Sequence, residues 1–228
     1  MARQLRHQPG PLALAGGGEW QEPCTFDRDL LAASGGKVVL VLPTAAAYEH
    51  PQRSVDAAVA YFRRLGGRAR GLMVLRRPDA EERANADAVR AARFIYLSGG
   101  SVLHLRSVLK DSSLWQALEG AWHDGAVLAG SAAGAMVLGD PMVDPRGGAL
   151  TVGLGLVEQL AVLPHADTWS AEKAHRTFSL AEGGLRIAAI DSHTALIRDP
   201  DGSWRVAGAG QVTIYVDGQP SGLEALAR

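Results

Sequence analysis

Short runs of apolar residues alternate along this chain with segments in which apolar residues recur at helical spacing. The apolar runs predict buried strands at residues 12–15, 37–42, 71–75, 93–97, 126–129, 185–190 and 194–198. The helical spacing predicts helices at residues 27–33, 54–65, 80–92, 102–109 and 114–121. This alternation favours right-handed βαβ units and one mostly parallel sheet with helices on both faces.

Two more strands, Trp204–Val206 and Val212–Val216, predict a C-terminal β-hairpin with a turn at Asp217–Gly218. No internal repeat, low-complexity segment or linker interrupts the pattern. We therefore expect residues 1–228 to form a single α/β domain, which is long enough to bury a sizeable core.

Composition narrows the function classes. Hydrophobic residues make up 47% of the chain and charged residues 21%, as in a globular protein. A net charge of -1 gives no reason to expect nucleic acid or an anionic membrane as a partner. The single cysteine, Cys24, excludes an internal disulfide and a multi-cysteine metal site, and no histidine pair has metal-ligand spacing. With no membrane-spanning run and no signal-type apolar core, a cytoplasmic protein without cofactor or metal is expected.

Residues 126–139 carry the most informative pattern. An apolar strand is followed by small residues between Gly130 and Gly134, and then by apolar residues that can begin a helix. This is the layout of a nucleophile elbow, G-x-S-x-G, in which a strained turn presents the middle residue to substrate. Here the middle residue is Ala132, and the serine lies one position earlier, at Ser131. The frame for acyl transfer is therefore present without its attacking hydroxyl, since the Ser131 side chain should point away from the tip.

Two other loops are expected to join the elbow at the carboxyl edge of the sheet. The first contains Gly99 and Gly100, and the N–H group of one or the other could converge with that of Ala133 on a developing oxyanion. The second contains His165, which follows an apolar run and Pro164 and is the candidate general base. His193, also near a strand end, is the second choice.

A catalytic histidine needs a partner that fixes its tautomer. Asp191 and Ser192 lie at the end of the strand 185–190, and either could fill this role. The glycine cluster 16–18 lacks the pattern of a phosphate-binding loop, so we interpret it as a tight turn.

Four segments together resemble the S51 serine peptidases, the dipeptidase E and cyanophycinase-like enzymes. They read GPLALAGGGE at 10–19, LPTA at 42–45, LSGG at 97–100 and GSAAGAM at 130–136. The resemblance runs from about Gly10 to Ile197. It implies a flavodoxin-like fold similar to class I glutamine amidotransferases, and hydrolysis of peptide or isopeptide bonds, often beside aspartate, without metal or cofactor.

The resemblance also implies roles for individual residues. The family serine falls on Ala132, and the family histidine on His165. The acidic triad position falls on Ser192, with Asp191 matching the aspartate before it. Ser101 stands where the family usually has Asn or Asp after the glycines. Arg176 is the only arginine in 166–178, where cyanophycinases carry an Arg-rich segment, so cyanophycin is not the expected substrate.

Several explanations of Ala132 follow. One hypothesis is a deliberate replacement of the serine in an otherwise active peptidase, so that substrate is trapped. The other is a natural pseudoenzyme that binds peptides. A non-catalytic, amidotransferase-like binding protein is a different class of function. A true glutamine amidotransferase would need a cysteine at the elbow, and Cys24 lies elsewhere in the chain. Arg176, Trp169 and Tyr48 are candidate pocket residues by position, and a monomer or homodimer is expected.

Overall fold

A computed structural model of the chain describes residues 8–227, and of residues 171–174 the backbone alone. The strands are β1 Leu12–Ala15, β2 Val38–Leu42, β3 Arg68–Gly71, β4 Phe94–Leu97, β5 Val127–Ser131, β6 Gly139–Asp140, β7 Met142–Val143, β8 Leu150–Thr151, β9 Val157–Glu158, β10 Leu160–Pro164, β11 Arg186–Ile190, β12 Thr194–Arg198, β13 Trp204–Gly208, β14 Val212–Val216 and β15 Gln219–Ser221. The α-helices are α1 Phe26–Ala33, α2 Pro51–Arg64, α3 Arg77–Glu81, α4 Arg83–Arg90, α5 Val102–Leu109, α6 Ser113–His123, α7 Ala133–Leu138 and α8 Ala171–Ser179. Short 3₁₀ turns lie at Thr44–Ala46, Ala166–Thr168 and Leu223–Leu226.

The main sheet has seven strands in the order β13-β12-β1-β5-β4-β2-β3. The five adjacent strands β1, β5, β4, β2 and β3 are parallel to one another. β12 is antiparallel to β1, and β13 is antiparallel to β12 and so runs in the same direction as β1. Apolar side chains cover both of its faces, with Phe26, Phe62 and Tyr96 on one side and Leu105 and Leu128 on the other. The expected α/β fold, a mostly parallel sheet between layers of helices, is confirmed.

Two registers place the functional loops. Ala15 of β1 pairs with Ser131 of β5, so the glycine turn after β1 lies beside the elbow. In a second, four-stranded sheet of order β10-β11-β14-β15, Pro164 pairs with Ile190. Because β10 and β11 are parallel, the residues that follow them, 165 and 191–193, emerge side by side.

The hairpin prediction was right about the turn and wrong about one strand. The turn at Asp217–Gly218 joins β14 to β15, with Val216 opposite Gln219. β13 instead pairs with β12 in the main sheet, whereas β14 pairs with β11 in the second sheet. The two predicted strands therefore lie in different sheets.

The third strand was predicted at 71–75 and lies at Arg68–Gly71. As an edge strand it is half exposed, so its sequence RARG lacks the apolar run of a buried strand. The apolar run that follows it lies in a loop and contributes to the core. Val74 in this loop is fully buried, and its carbonyl accepts a hydrogen bond from Thr44 Oγ1 at 2.7 Å. The helix predicted at 80–92 divides at Glu82, whose backbone is extended.

Asp27 in α1 is a fully buried carboxyl group. Burial raises its pKa well above the ordinary value, and the charge of Glu19 adds to the rise. The folded chain thus holds this proton more tightly than the unfolded chain, so ionisation costs stability as the pH rises above the unfolded pKa of about 3.9.

Asp27→Asn should therefore raise the midpoint of thermal unfolding at pH 8, and the gain should vanish towards pH 4. Asp29→Asn on the same helix is the matched control, because Asp29 is exposed. Thermal unfolding of both variants from pH 4 to pH 8 checks this, and an equal gain for Asp27→Asn at both ends of the range would contradict it.

Candidate active site

The turn between β5 and α7 has the strained geometry of an elbow. Ala132 at its tip has φ 46° and ψ −108°, outside the regions that a residue with a side chain ordinarily occupies. Such a conformation costs about 1–3 kcal/mol. The flanking glycines are required, because a Cβ on Gly130 would lie 2.3 Å from the Gly134 oxygen and one on Gly134 2.2 Å from the Leu97 oxygen.

Ala132 and His165 line the same cavity, of about 560 Å³. The remaining lining residues are small, apolar or hydroxyl-bearing: Gly100, Ala133, Met136, Pro145, Pro164, Thr168, Trp169 and Ser170. A larger cavity of about 860 Å³, lined partly from α6 and β13, contains neither Ala132 nor His165. The structure thus brings the predicted tip and the predicted base together at the carboxyl edge of the sheet.

The glycine turn after β1 makes room for two histidine rings. His165 is left-handed (φ 52°), and its N–H donates to the Gly16 oxygen at 2.8 Å. A Cβ on Gly17, which has φ 120°, would lie 2.0 Å from His165 Cε1, and one on Gly18 would lie 2.5 Å from His193 Nε2. His193 Nε2 is 3.1 Å from Gln21 Oε1, and this ring does not line the cavity.

Ser192 is the residue that contacts the candidate base, since its Oγ lies 3.1 Å from His165 Nδ1. Its hydroxyl and its N–H both donate to Asp167 Oδ1, at 3.0 Å and 2.9 Å. These bonds, the backbone one first, lower the pKa of the Asp167 carboxyl group. The Asp191 carboxylate instead accepts from the Gln211 N–H at 2.9 Å, on the β11–β14 edge.

Glu19 ties together the two loops that carry the candidate oxyanion donors. Its Oε1 accepts from the Gly99 N–H at 2.9 Å, and its Oε2 accepts from the Ser131 hydroxyl at 2.8 Å. The Gly99 N–H and the Ser131 hydroxyl are therefore both occupied within the structure. Among the described residues, the N–H groups of Gly100 and Ala133 have no hydrogen-bond acceptor, and both residues line the cavity.

Replacing Glu19 by alanine should loosen this junction. It leaves the Gly99 N–H and the Ser131 hydroxyl without their acceptor, which should cost about 2 kcal/mol of unfolding free energy. Denaturant unfolding measures the loss, with Glu22→Ala, an exposed glutamate nearby, as control. Equal losses for the two variants would show that the bridge contributes nothing.

The other predicted site residues lie further from the tip. The Ser101 hydroxyl caps α5 by accepting from the His104 N–H at 3.3 Å. Arg176 is exposed on α8 beside Gly147, outside the cavity lining, whereas Trp169 is part of that lining. Tyr48 is 81% exposed and packs on the His104 ring, with centroids 4.9 Å apart.

The lone cysteine is not at the site. Cys24 is buried, its thiol donates to the Gly18 oxygen at 3.3 Å, and burial raises its pKa to about 11. Among the described residues, no three His, Cys, Asp or Glu side chains are arranged to hold a metal ion. Within residues 8–227, no helix has the length and apolar character that crossing a membrane requires.

Asp167 and Glu19 were not among the site residues predicted from the sequence. Each lies close in the chain to a feature that was noticed, Asp167 two residues after His165 and Glu19 directly after the glycine cluster. Their positions next to these features were the only signal in the sequence, and their hydrogen-bond partners are known only from the structure.

The model of peptidase family S51 matches residues 12–203, which include every strand of the main sheet except β13. The chain belongs to peptidase family S51. The resemblance inferred from the four sequence motifs is thereby confirmed.

Several relatives of this S51 chain are known. It is 31% identical over 171 residues to a cyanophycinase of Synechococcus elongatus and, to the same extent, to one of Thermosynechococcus vestitus. It is 27% identical over 196 residues to a cyanophycinase of Geminocystis herdmanii, covering 80% of this chain and 70% of that one. The first two alignments cover 67% of this chain and 51% of each relative, so the chain spans about half the length of those proteins.

Two solved structures are similar to this chain. The crystal structure of a peptidase from an acI-B1 Actinobacterium matches with a TM-score of 0.83 and 31% identity, over 92% of this chain and 91% of that one. A putative peptidase E protein from Listeria monocytogenes matches with a TM-score of 0.64, 91% of this chain and 98% of that one being covered, but at 19% identity it supports the fold alone.

Proposed function

We propose that this S51 chain binds peptides in the cavity at the elbow, in a cleft built for a serine peptidase, and that Ala132 occupies the nucleophile position. The observation that carries the proposal is the strained backbone of Ala132, which faces the same cavity as His165. The strained conformation has no evident benefit for an alanine, whereas it would present the hydroxyl of a nucleophilic serine to substrate.

The remaining groups fit the stages of acyl transfer. The N–H groups of Gly100 and Ala133 would hold the scissile carbonyl oxygen and stabilise its negative charge. His165 would take the proton of an attacking hydroxyl and pass it to the leaving amine. Because a methyl group cannot attack a carbonyl carbon, the chain as it stands forms no acyl-enzyme and should release peptides unchanged.

We propose short peptides as the ligands, with bonds beside aspartate as the first to test. Family membership and the cyanophycinase relatives support this choice of substrate class. The cavity of about 560 Å³ suits a ligand of a few residues.

Ala132 itself favours a second candidate, a natural pseudoenzyme that binds peptides and whose function does not require the missing hydroxyl. A pseudoenzyme of this kind would retain the cleft, but its function would not require catalytic positions for His165 and the amide donors. It predicts peptide binding that is insensitive to His165.

Trp169 provides a direct test, because it lines the cavity. Short peptides with and without aspartate should change its fluorescence saturably in the unaltered chain. Trp169→Phe should lose the signal, which assigns it to the cavity, and His165→Ala should weaken binding. Binding that is equally tight without His165 favours the pseudoenzyme, and no binding by any peptide contradicts both candidates.

A further inference from the structure

Asp167 has contacts that a surface carboxylate does not need. Its Oδ1 accepts two hydrogen bonds from one residue, from the Ser192 N–H at 2.9 Å and from the Ser192 hydroxyl at 3.0 Å. The 3₁₀ turn that carries Asp167 is anchored to His165, whose carbonyl accepts from the Thr168 N–H at 2.9 Å and from the Thr168 hydroxyl at 3.0 Å. Ser192 thus fixes the Asp167 carboxylate, and the bonds between Thr168 and His165 fix the turn that carries it.

The direction of the Ser192 hydroxyl proton determines which ring nitrogen of His165 carries the hydrogen. An ionised carboxylate is an acceptor only, so the hydroxyl proton points to Asp167 Oδ1. If it pointed to His165 instead, two oxygen lone pairs would face each other at 3.0 Å. The hydroxyl can then offer only a lone pair to His165 Nδ1, 3.1 Å away, and that nitrogen must carry the hydrogen.

We propose that Asp167 acts through the Ser192 hydroxyl as the positioning carboxylate that fixes His165 in the Nδ1–H tautomer. This inference rests on the proposed function, in which His165 is the base. In that tautomer Nε2 carries the lone pair that a general base requires, as in a Ser-His-Asp arrangement. Asp191 does not compete for this role, because its carboxylate accepts from the Gln211 N–H.

The tautomer can be measured without any catalysis. Nitrogen-15 NMR of the unaltered chain at pH 8.5, where an ordinary imidazole is neutral, should show His165 protonated at Nδ1 and bare at Nε2. Asp167→Ala and Ser192→Ala should each shift the population towards Nε2–H, the form that free histidine prefers in water. Ser192→Thr, which keeps a hydroxyl, should retain Nδ1–H.

His193 is the internal control, because its ring contacts Gln21 and Gly18 and not Asp167. The tautomer of its ring should be the same in all three variants, which shows that the 191–193 loop is intact. Nε2–H on His165 in the unaltered chain would overturn the proposal. So would Nδ1–H that persists in Asp167→Ala while the His193 tautomer is unchanged.

A kinetic readout follows if Ala132→Ser confers hydrolysis. In that background Asp167→Ala should lower kcat by up to about 10⁴-fold, the loss that follows the wrong histidine tautomer in a Ser-His-Asp site, with little change in KM. Ser192→Thr should retain most of the rate. The NMR experiment does not use the nucleophile, so an inactive Ala132→Ser variant would contradict the proposed function while the tautomer assignment is still decided.

Discussion

Ala132→Ser should convert this chain from a peptide binder into a peptidase. The substitution adds one oxygen at the tip of a turn that already has the strained geometry, beside a cavity that already contains His165. In serine peptidases the loss of the nucleophile alone costs about 10⁶-fold in kcat, so we expect a gain of at least about 10³-fold over the unaltered chain.

The assay uses dipeptides and longer peptides, with and without aspartate, and mass spectrometry of the products. Ala132→Ser combined with His165→Ala is the matched control, since it has the new hydroxyl but no base and should lose most of the gain. A folded Ala132→Ser variant that cleaves no peptide would favour the natural pseudoenzyme, because more than the hydroxyl would then be missing.

Gly17→Ala should strongly lower the activity of the Ala132→Ser variant. The new Cβ would fall 2.0 Å from His165 Cε1 and 2.4 Å from Nε2, and the backbone there has φ 120°. The imidazole must move, and a displacement of about 1 Å at a catalytic group can cost about 100-fold in rate. We therefore expect kcat/KM to fall by at least about 100-fold.

Gly35→Ala is the control for this experiment. Gly35 also has a positive φ, of 63°, but a Cβ there would meet no atom within 4 Å. It should cost some stability and leave kcat/KM unchanged. Equal activity of the Gly17 and Gly35 variants would show that the glycine turn does not position His165.

The elbow was predictable because its requirement is local. Close passage of β5, α7 and β4 admits only glycine at 130 and 134, and that spacing is written in the sequence. His165 was found for a similar reason, since it directly follows a buried strand. The buried strands of the main sheet were predictable because each is a continuous apolar run.

The parts that were missed depend on contacts between distant segments. Glu19 and Ser131 are 112 residues apart in the chain, and Asp167 and Ser192 are 25 apart. No local pattern encodes either pair. The edge strand β3 escaped for a different reason, because its exposure removes the apolar signal on which strand prediction relies.

The partners of β13 and of β14 likewise could not be predicted from the sequence pattern. Both segments were recognised as strands, and their short separation favoured a hairpin. Each instead pairs with a different strand, β13 with β12 in the main sheet and β14 with β11 in the second. Strand existence is a local property here, whereas strand pairing is settled by the whole fold.

We propose that the cleft is complete except for the attacking oxygen, and a fluorophosphonate tests this without knowledge of the substrate. Such reagents label a serine that is activated by a histidine base and an oxyanion site. Intact-mass spectrometry should show one adduct, mapped to position 132, on Ala132→Ser and none on the unaltered chain or on Ala132→Ser combined with His165→Ala. A folded Ala132→Ser variant that stays unlabelled would contradict the account.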